Sequence, residues 1–142
     1  MLDELKKKAA TVDISLPPLL VALFERAAVD EAFMDALSLL GIEPEPIAVD
    51  DIDMAPEVRE RLETTFVGFA NDGFGDVFGL QRIGTTTAVV RLRHDDDSLH
   101  VESASFDEWL PAHILESTDT GSPPDEELLA AMTLVRGALK LS

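Results

Sequence analysis

The apolar positions change period along the chain. From Leu2 to Leu40 they recur at helical spacing. Leu2, Leu5 and Ala9 come first, then Leu19, Leu20, Leu23, Phe24 and Ala27, then Phe33, Ala36, Leu37 and Leu40 at i, i+3, i+4, i+7. The spacing predicts a short first helix supported by Glu4 four residues before Lys8, and a second from Pro18 to about Ala28. It predicts a third capped by Asp30 and stopped at Gly41. Thr11–Pro18 separates the first two, and Pro18 suits a helix start because the first turn has no use for its missing N–H. Pro44 and Pro46 exclude a helix in the acidic stretch Glu43–Asp53, where Ile47-Ala48-Val49 reads as a short edge strand. Pro56 opens a short helix through Glu63, with Val58 and Leu62 on one side.

After Thr64 the helical period is lost. Thr64–Ala70 and Asp76–Ile83 read as strands joined by a turn at Asn71–Gly75. Large apolar residues (Phe66, Phe69, Phe74, Phe78) alternate there with Gly68, Gly73, Gly75 and Gly79, so the pair is expected to pack hard on one side and turn sharply between. Thr85–His94 alternates strictly: Ala88, Val90 and Leu92 on one face, Val89, Arg91 and Arg93 on the other, the mark of a half-buried antiparallel strand. Asp95-Asp96-Asp97-Ser98 is a turn. Leu99 and Val101 return from it, with His100 and Glu102 outward.

Helical signals then resume. Ser105 and Glu108 match a capping box ahead of Phe106, Trp109, Leu110, His113 and Ile114; Pro111 predicts a kink or a detached first turn. Thr118–Pro124 reads as a linker, and Ser122-Pro123-Pro124 with three following acids starts a last helix carrying Leu128, Met132, Val135 and Leu139. The sum is an α+β fold, a mainly antiparallel sheet of about four to six strands packed by N-terminal and C-terminal helices. We read residues 1–142 as a single domain, with 118–142 as a C-terminal helical extension.

Charge narrows the function. Twenty-eight acidic residues against 11 basic ones leave a formal charge of −17, which disfavours nucleic acid and anionic membrane as partners. Apolar residues are 46% of the chain, too many for a disordered acidic tail. Cysteine is absent, so disulfides, thiolate nucleophiles and Cys-ligated zinc are excluded. The charged start Met1–Lys8 lacks the apolar run of a secretion signal, and no unbroken apolar stretch suits a membrane span, so a cytoplasmic location is expected.

Catalytic motifs are lacking. His94, His100 and His113 include no pair at i, i+4; His94 and His100 flank the Asp95–Asp97 turn, the one place where a metal-dependent enzyme could be imagined. Neither that turn nor Asp50-Asp51-Ile52-Asp53 has the order of an EF-hand loop. The glycines around Phe74 are followed by a strand and no lysine, so they do not cradle phosphate, and no G-x-S-x-G elbow exists. No cofactor is expected.

The run Phe66-Val67-Gly68-Phe69-Ala70-Asn71-Asp72-Gly73-Phe74-Gly75-Asp76-Val77-Phe78-Gly79-Leu80 resembles the signature of the SUKH superfamily, the Smi/Knr-type domain. Arg93-His94-Asp95-Asp96 and Ser105-Phe106-Asp107-Glu108-Trp109-Leu110 follow in the order that family shows, so the likeness covers roughly Thr64–Leu115. Leu16-Pro17-Pro18 is similar to its Leu-Pro helix start, although Ala27-Ala28-Val29-Asp30 stands where the family has Asn-Gly.

The resemblance implies binding, not catalysis. Many bacterial members are immunity proteins that neutralise a cognate toxin, often a nuclease or deaminase. It implies structural roles for Phe66, Gly73, Gly75, Asp76, Phe78, Phe106 and Trp109, with the two glycines shaping the turn and Phe66, Phe78 and Trp109 filling the core. The expected partner is a basic toxin, met by the dense acidic loops Asp50, Asp51, Asp53 and Asp95, Asp96, Asp97. The alternatives are a non-toxin regulatory module of the same fold and the metal-dependent enzyme above.

Overall fold

A computed structural model describes residues 1–118 and 125–141. The expected linker beyond Thr118 and the Ser122-Pro123-Pro124 helix start therefore lie outside the described residues, while Thr118 itself ends a helix. Within them the fold is α+β. Helices α1 (Leu2–Thr11), α2 (Pro18–Val29) and α3 (Glu31–Leu39) precede strand β1 (Glu43–Ile47), a 3-10 turn at Val49–Asp51 and α4 (Pro56–Leu62). Strands β2 (Phe66–Asn71), β3 (Val77–Ile83), β4 (Thr86–Leu92) and β5 (Leu99–Ser103) follow, then α5 (Phe106–Thr118) and α6 (Glu126–Ala138). The sheet is a pure antiparallel meander in the order β1-β2-β3-β4-β5. No helix among the described residues is long and apolar enough to cross a membrane.

Both faces of the sheet are covered. On the first, Val67, Phe69, Phe78, Leu80 and Val89 meet α1, α2, α3, α5 and α6 in one continuous apolar cluster. Its centre is aromatic: Trp109 lies edge-on to Phe69 at 5.3 Å and stacks on His113 at 4.8 Å, with Phe78 and Phe106 alongside. Burial pushes the His113 imidazole below its ordinary value, and Nε2 sits 3.0 Å from the Leu40 carbonyl, which also accepts from Ser117 Oγ at 2.9 Å. Two side chains of α5 thus satisfy the C-terminal end of α3. Ala131 and Val135 build α6 into the same cluster.

The sheet departs from expectation in being buried on both faces. Val89 and Val90 are both fully buried, so β4 is not half-buried. Ile47 of β1, Val49 of the 3-10 turn, Met54 of the loop after it and Leu62 of α4 cover Phe66, Val77, Val90 and Leu92 on the second face. Three other expectations also shift. The edge strand runs through Glu43–Ile47 rather than Ile47–Val49. Prolines spaced by two residues both remove an N–H from one side of a strand, and an edge strand has one side without a partner. Helix α5 continues unbroken through Pro111, which forfeits the one bond its N–H would have made. Phe74, expected to pack with the strand pair, is 83% exposed at the turn tip.

Glycine is required where the layers press closest. A Cβ on Gly79 would stand 2.2 Å from the Phe66 ring and 2.8 Å from the Val67 carbonyl oxygen. Neither can yield, because Phe66 is buried and the carbonyl is backbone. Gly79→Ala is expected to cost about 3 kcal/mol, read as a lowered urea midpoint with unchanged slope. Gly84→Ala meets nothing within 4 Å and differs only in its φ of +64°, so about 1 kcal/mol is expected there.

Candidate functional site

The β2–β3 turn is a hydrogen-bonded knot. Asn71 Oδ1 accepts from the Gly73 amide at 2.8 Å. Asp72 Oδ1 accepts from the amides of Phe74 (2.8 Å) and Asp76 (3.1 Å). Gly73 and Gly75 take φ of +85° and +111°, and a Cβ on Gly75 would press on the His94 ring at 3.0 Å. The loop is thus closed by its own acids before any other element is met.

Asp76 ties this knot to β4. It is 7% exposed, and Oδ2 accepts from Arg91 Nε at 2.9 Å while Oδ1 accepts from the His94 amide at 3.1 Å and faces His94 Nδ1 at 2.6 Å. Arg91 also reaches Asp72 Oδ2 at 3.0 Å and Glu102 at 3.8 Å, and lies over the Phe78 ring at 5.0 Å. Burial alone would raise the Asp76 carboxyl; the bonds from the His94 ring and amide and from Arg91 override it and pull it down to about 2. The same bond to Asp76 raises the His94 imidazole above its ordinary value.

Beside the knot lies a cleft of about 370 Å³. Its floor is the rim of the second apolar cluster, with Pro46, Ile47, Ile52, Val77 and Leu92. Its walls carry Glu45, Asp51, Asp53 and Asp97, faced by Arg93 and His94. Asp97 holds a φ of +55°, and its Oδ2 accepts from the Ala55 amide at 3.0 Å. That single bond joins the two acidic loops expected to make contacts, although 42 residues separate its ends.

Only half of the expected acids face this cleft. Asp51 and Asp53 line it, with Asp51 also accepting from the Ala48 amide at 2.9 Å and lying 3.6 Å from Lys8 Nζ. Asp97 lines it but is committed to the loop contact. Asp50 points away, 3.3 Å from Arg59. Asp95 lies 3.8 Å from Arg93, and Asp96 accepts from the Ser98 amide at 2.9 Å. Of the motif residues, Phe66 is buried on the second face, and Phe78, Phe106 and Trp109 on the first.

The imagined metal site is not assembled. His94 is engaged with Asp76 and His100 Nε2 sits 3.1 Å from Ser98 Oγ. Among the described residues no group of three histidine or carboxylate side chains is placed to hold a metal ion. Sequence reasoning did not assign Glu45, Arg93 or Phe74 to a functional site. A large apolar residue between two glycines of a tight turn has no neighbour to pack on, and that was the available signal for Phe74. No protein-family model, curated protein or solved structure matches this chain.

The pH dependence of the Asp76 network has a fixed sign. Its carboxylate is lowered, so its stabilisation is complete above the unfolded value of 3.8 and is lost as pH falls towards about 2. His94 is raised, so its share is complete below 6.5 and is lost as pH rises through the higher folded value. Asp76→Asn is expected to lower stability by about 3 kcal/mol near pH 5. Urea midpoints of the two proteins should converge as pH is lowered through about 2 and draw partly together as pH rises beyond 6.5 through the raised His94 value.

Proposed function

We propose that this chain is an immunity-type binding protein of the SUKH kind, neutralising a basic toxin by covering its active cleft. The observation that carries the reading is the convergence of the Asp51–Asp53 and Asp97 loops, distant in sequence, on one acidic cleft with an apolar floor. A nuclease or deaminase acting on a polyanion presents a positive cleft, and a partner of charge −17 is steered onto it. The resemblance of Phe66–Leu80 and the His94 and Ser105–Leu110 segments to the SUKH signature supports the same reading.

The surface beside the cleft suits an interface. The Asp72 bond to its amide fixes the Phe74 backbone, and the exposed ring offers an aromatic anchor. Co-expression with the product of the neighbouring gene should yield a complex. Asp53→Lys with Phe74→Ala leaves every described hydrogen bond of the knot in place and should weaken that complex by about 2–4 kcal/mol. The charge change should mainly slow association, with an effect that fades as salt is raised. Unchanged affinity and on-rate at low salt would remove the cleft as the contact surface.

A further inference from the structure

The two edges of the sheet are finished differently. Strand β1 carries Pro44 and Pro46, a register irregularity between Pro44 and Ile47, and cover from α1 and α3. These are the devices that stop an edge from pairing with another chain. Strand β5 shares only the milder of them, a register irregularity opposite Val89 and Val90 and cover from α5. It contains no proline, and His100, Val101 and Glu102 are all exposed, with Val101 at 63%.

The ladder fixes which groups are free. The Arg93 amide donates to the Ser98 carbonyl at 2.9 Å, and pairing continues as Leu92 with Leu99, Arg91 with His100 and Val90 with Val101. Antiparallel bonding alternates, so His100 bonds inward to β4 while the amides and carbonyls of Leu99 and Val101 point outward. No backbone or side-chain hydrogen bond among the described residues reaches those two amides from the outer side.

We propose that β5 is a docking edge which accepts an extended basic segment of a partner protein as a sixth, antiparallel or parallel strand. Charge selects the occupant. The edge runs from the Asp95–Asp97 turn, past Glu102, to the acidic first turn of α5 at Asp107 and Glu108. A second copy would bring another −17 to that edge, whereas lysine or arginine at alternate positions would meet carboxylates. Between the basic positions, an apolar side chain of the incoming strand would lie against exposed Val101 on the second face. This surface meets the acidic cleft at the Asp95–Asp97 turn but does not depend on the partner being a toxin.

The probe is a short capped peptide of alternating lysine and valine, with its glutamate–valine counterpart as control. On titration into the full chain, amide exchange at Leu99 and Val101 should slow by about tenfold while His100, already bonded, changes little. The lysine peptide alone should do this. Val101→Pro deletes an outward N–H without touching the β4 ladder and should weaken binding about tenfold, whereas Val101→Thr should not. Equal binding to Val101→Pro, or peptide-induced protection elsewhere with none at Leu99 and Val101, overturns the proposal. So does protection of the two amides that appears without peptide and grows with protein concentration, since the occupant is then a second copy.

Discussion

The carboxylate of Asp76 is the point on which the middle of the molecule depends. It receives the guanidinium of Arg91, the ring of His94 and the amide of His94, and so fastens the start of β3 to the end of β4. A desolvated ion is costly, and only a full set of donors makes its burial tolerable. Here the set is full, and Asp72 supplies the second carboxylate that Arg91 needs. Such a network adds little to stability against an apolar alternative of the same shape. What it supplies is geometry. With Arg91 fixed over Phe78 and His94 pressed against Gly75, the β2–β3 turn and the strand end beyond Leu92 hold one relative position.

That fixed position is what makes a cleft possible. The second face of the sheet is covered by a short span, from Ile47 to Leu62, whose only regular elements are one 3-10 turn and one short helix. Alone, so short a span would be poorly anchored. Asp97 ties it to the turn after β4 through the Ala55 amide, and Arg59 closes it on itself through the Ile52 carbonyl at 2.9 Å. The cover stops short of the sheet end, and the uncovered apolar rim becomes the cleft floor. Acids unable to enter the core stand around it.

The layers differ in how far the sequence discloses them. Helices α1 to α3, the β2–β3–β4 meander and the Asp30 cap, whose Oδ1 accepts from Phe33 at 3.1 Å, were legible because each rests on local period or local bonding. The alternation of Val89 and Arg91 against Val90 and Leu92 gave the correct faces of β4. It could not show that the Arg91 face is also core, since Arg91 is neutralised by acids 15 and 19 residues away. The displacement of β1 to Glu43–Ile47 has a similar cause: prolines argue against strands in general, and only the sheet's topology makes this one an edge. Acid density marked the two loops that border the cleft, but not which acids face it and which serve the fold. Asp97, spent on Ala55, and Asp53, facing the cleft, look alike in sequence.

The division of labour between apolar and charged surface is the remaining constraint on function. A chain with this much like charge repels itself, and folding must bring its acids closer together than the unfolded chain does. The structure neutralises a few of them internally, chiefly Asp72 and Asp76 on Arg91, and leaves most on the surface. Those gathered around the apolar floor outnumber the cations beside them, Arg93, His94 and the Lys8 next to Asp51. A basic partner relieves that repulsion as well as adding its own attraction, and it does so most where the carboxylates cannot move apart. Asp97 is held by its bond to Ala55, and Asp51 by its bond to the Ala48 amide. The bonds that build the cleft therefore also hold these two acids in place, which would lower the reorganisation cost of meeting a cation there.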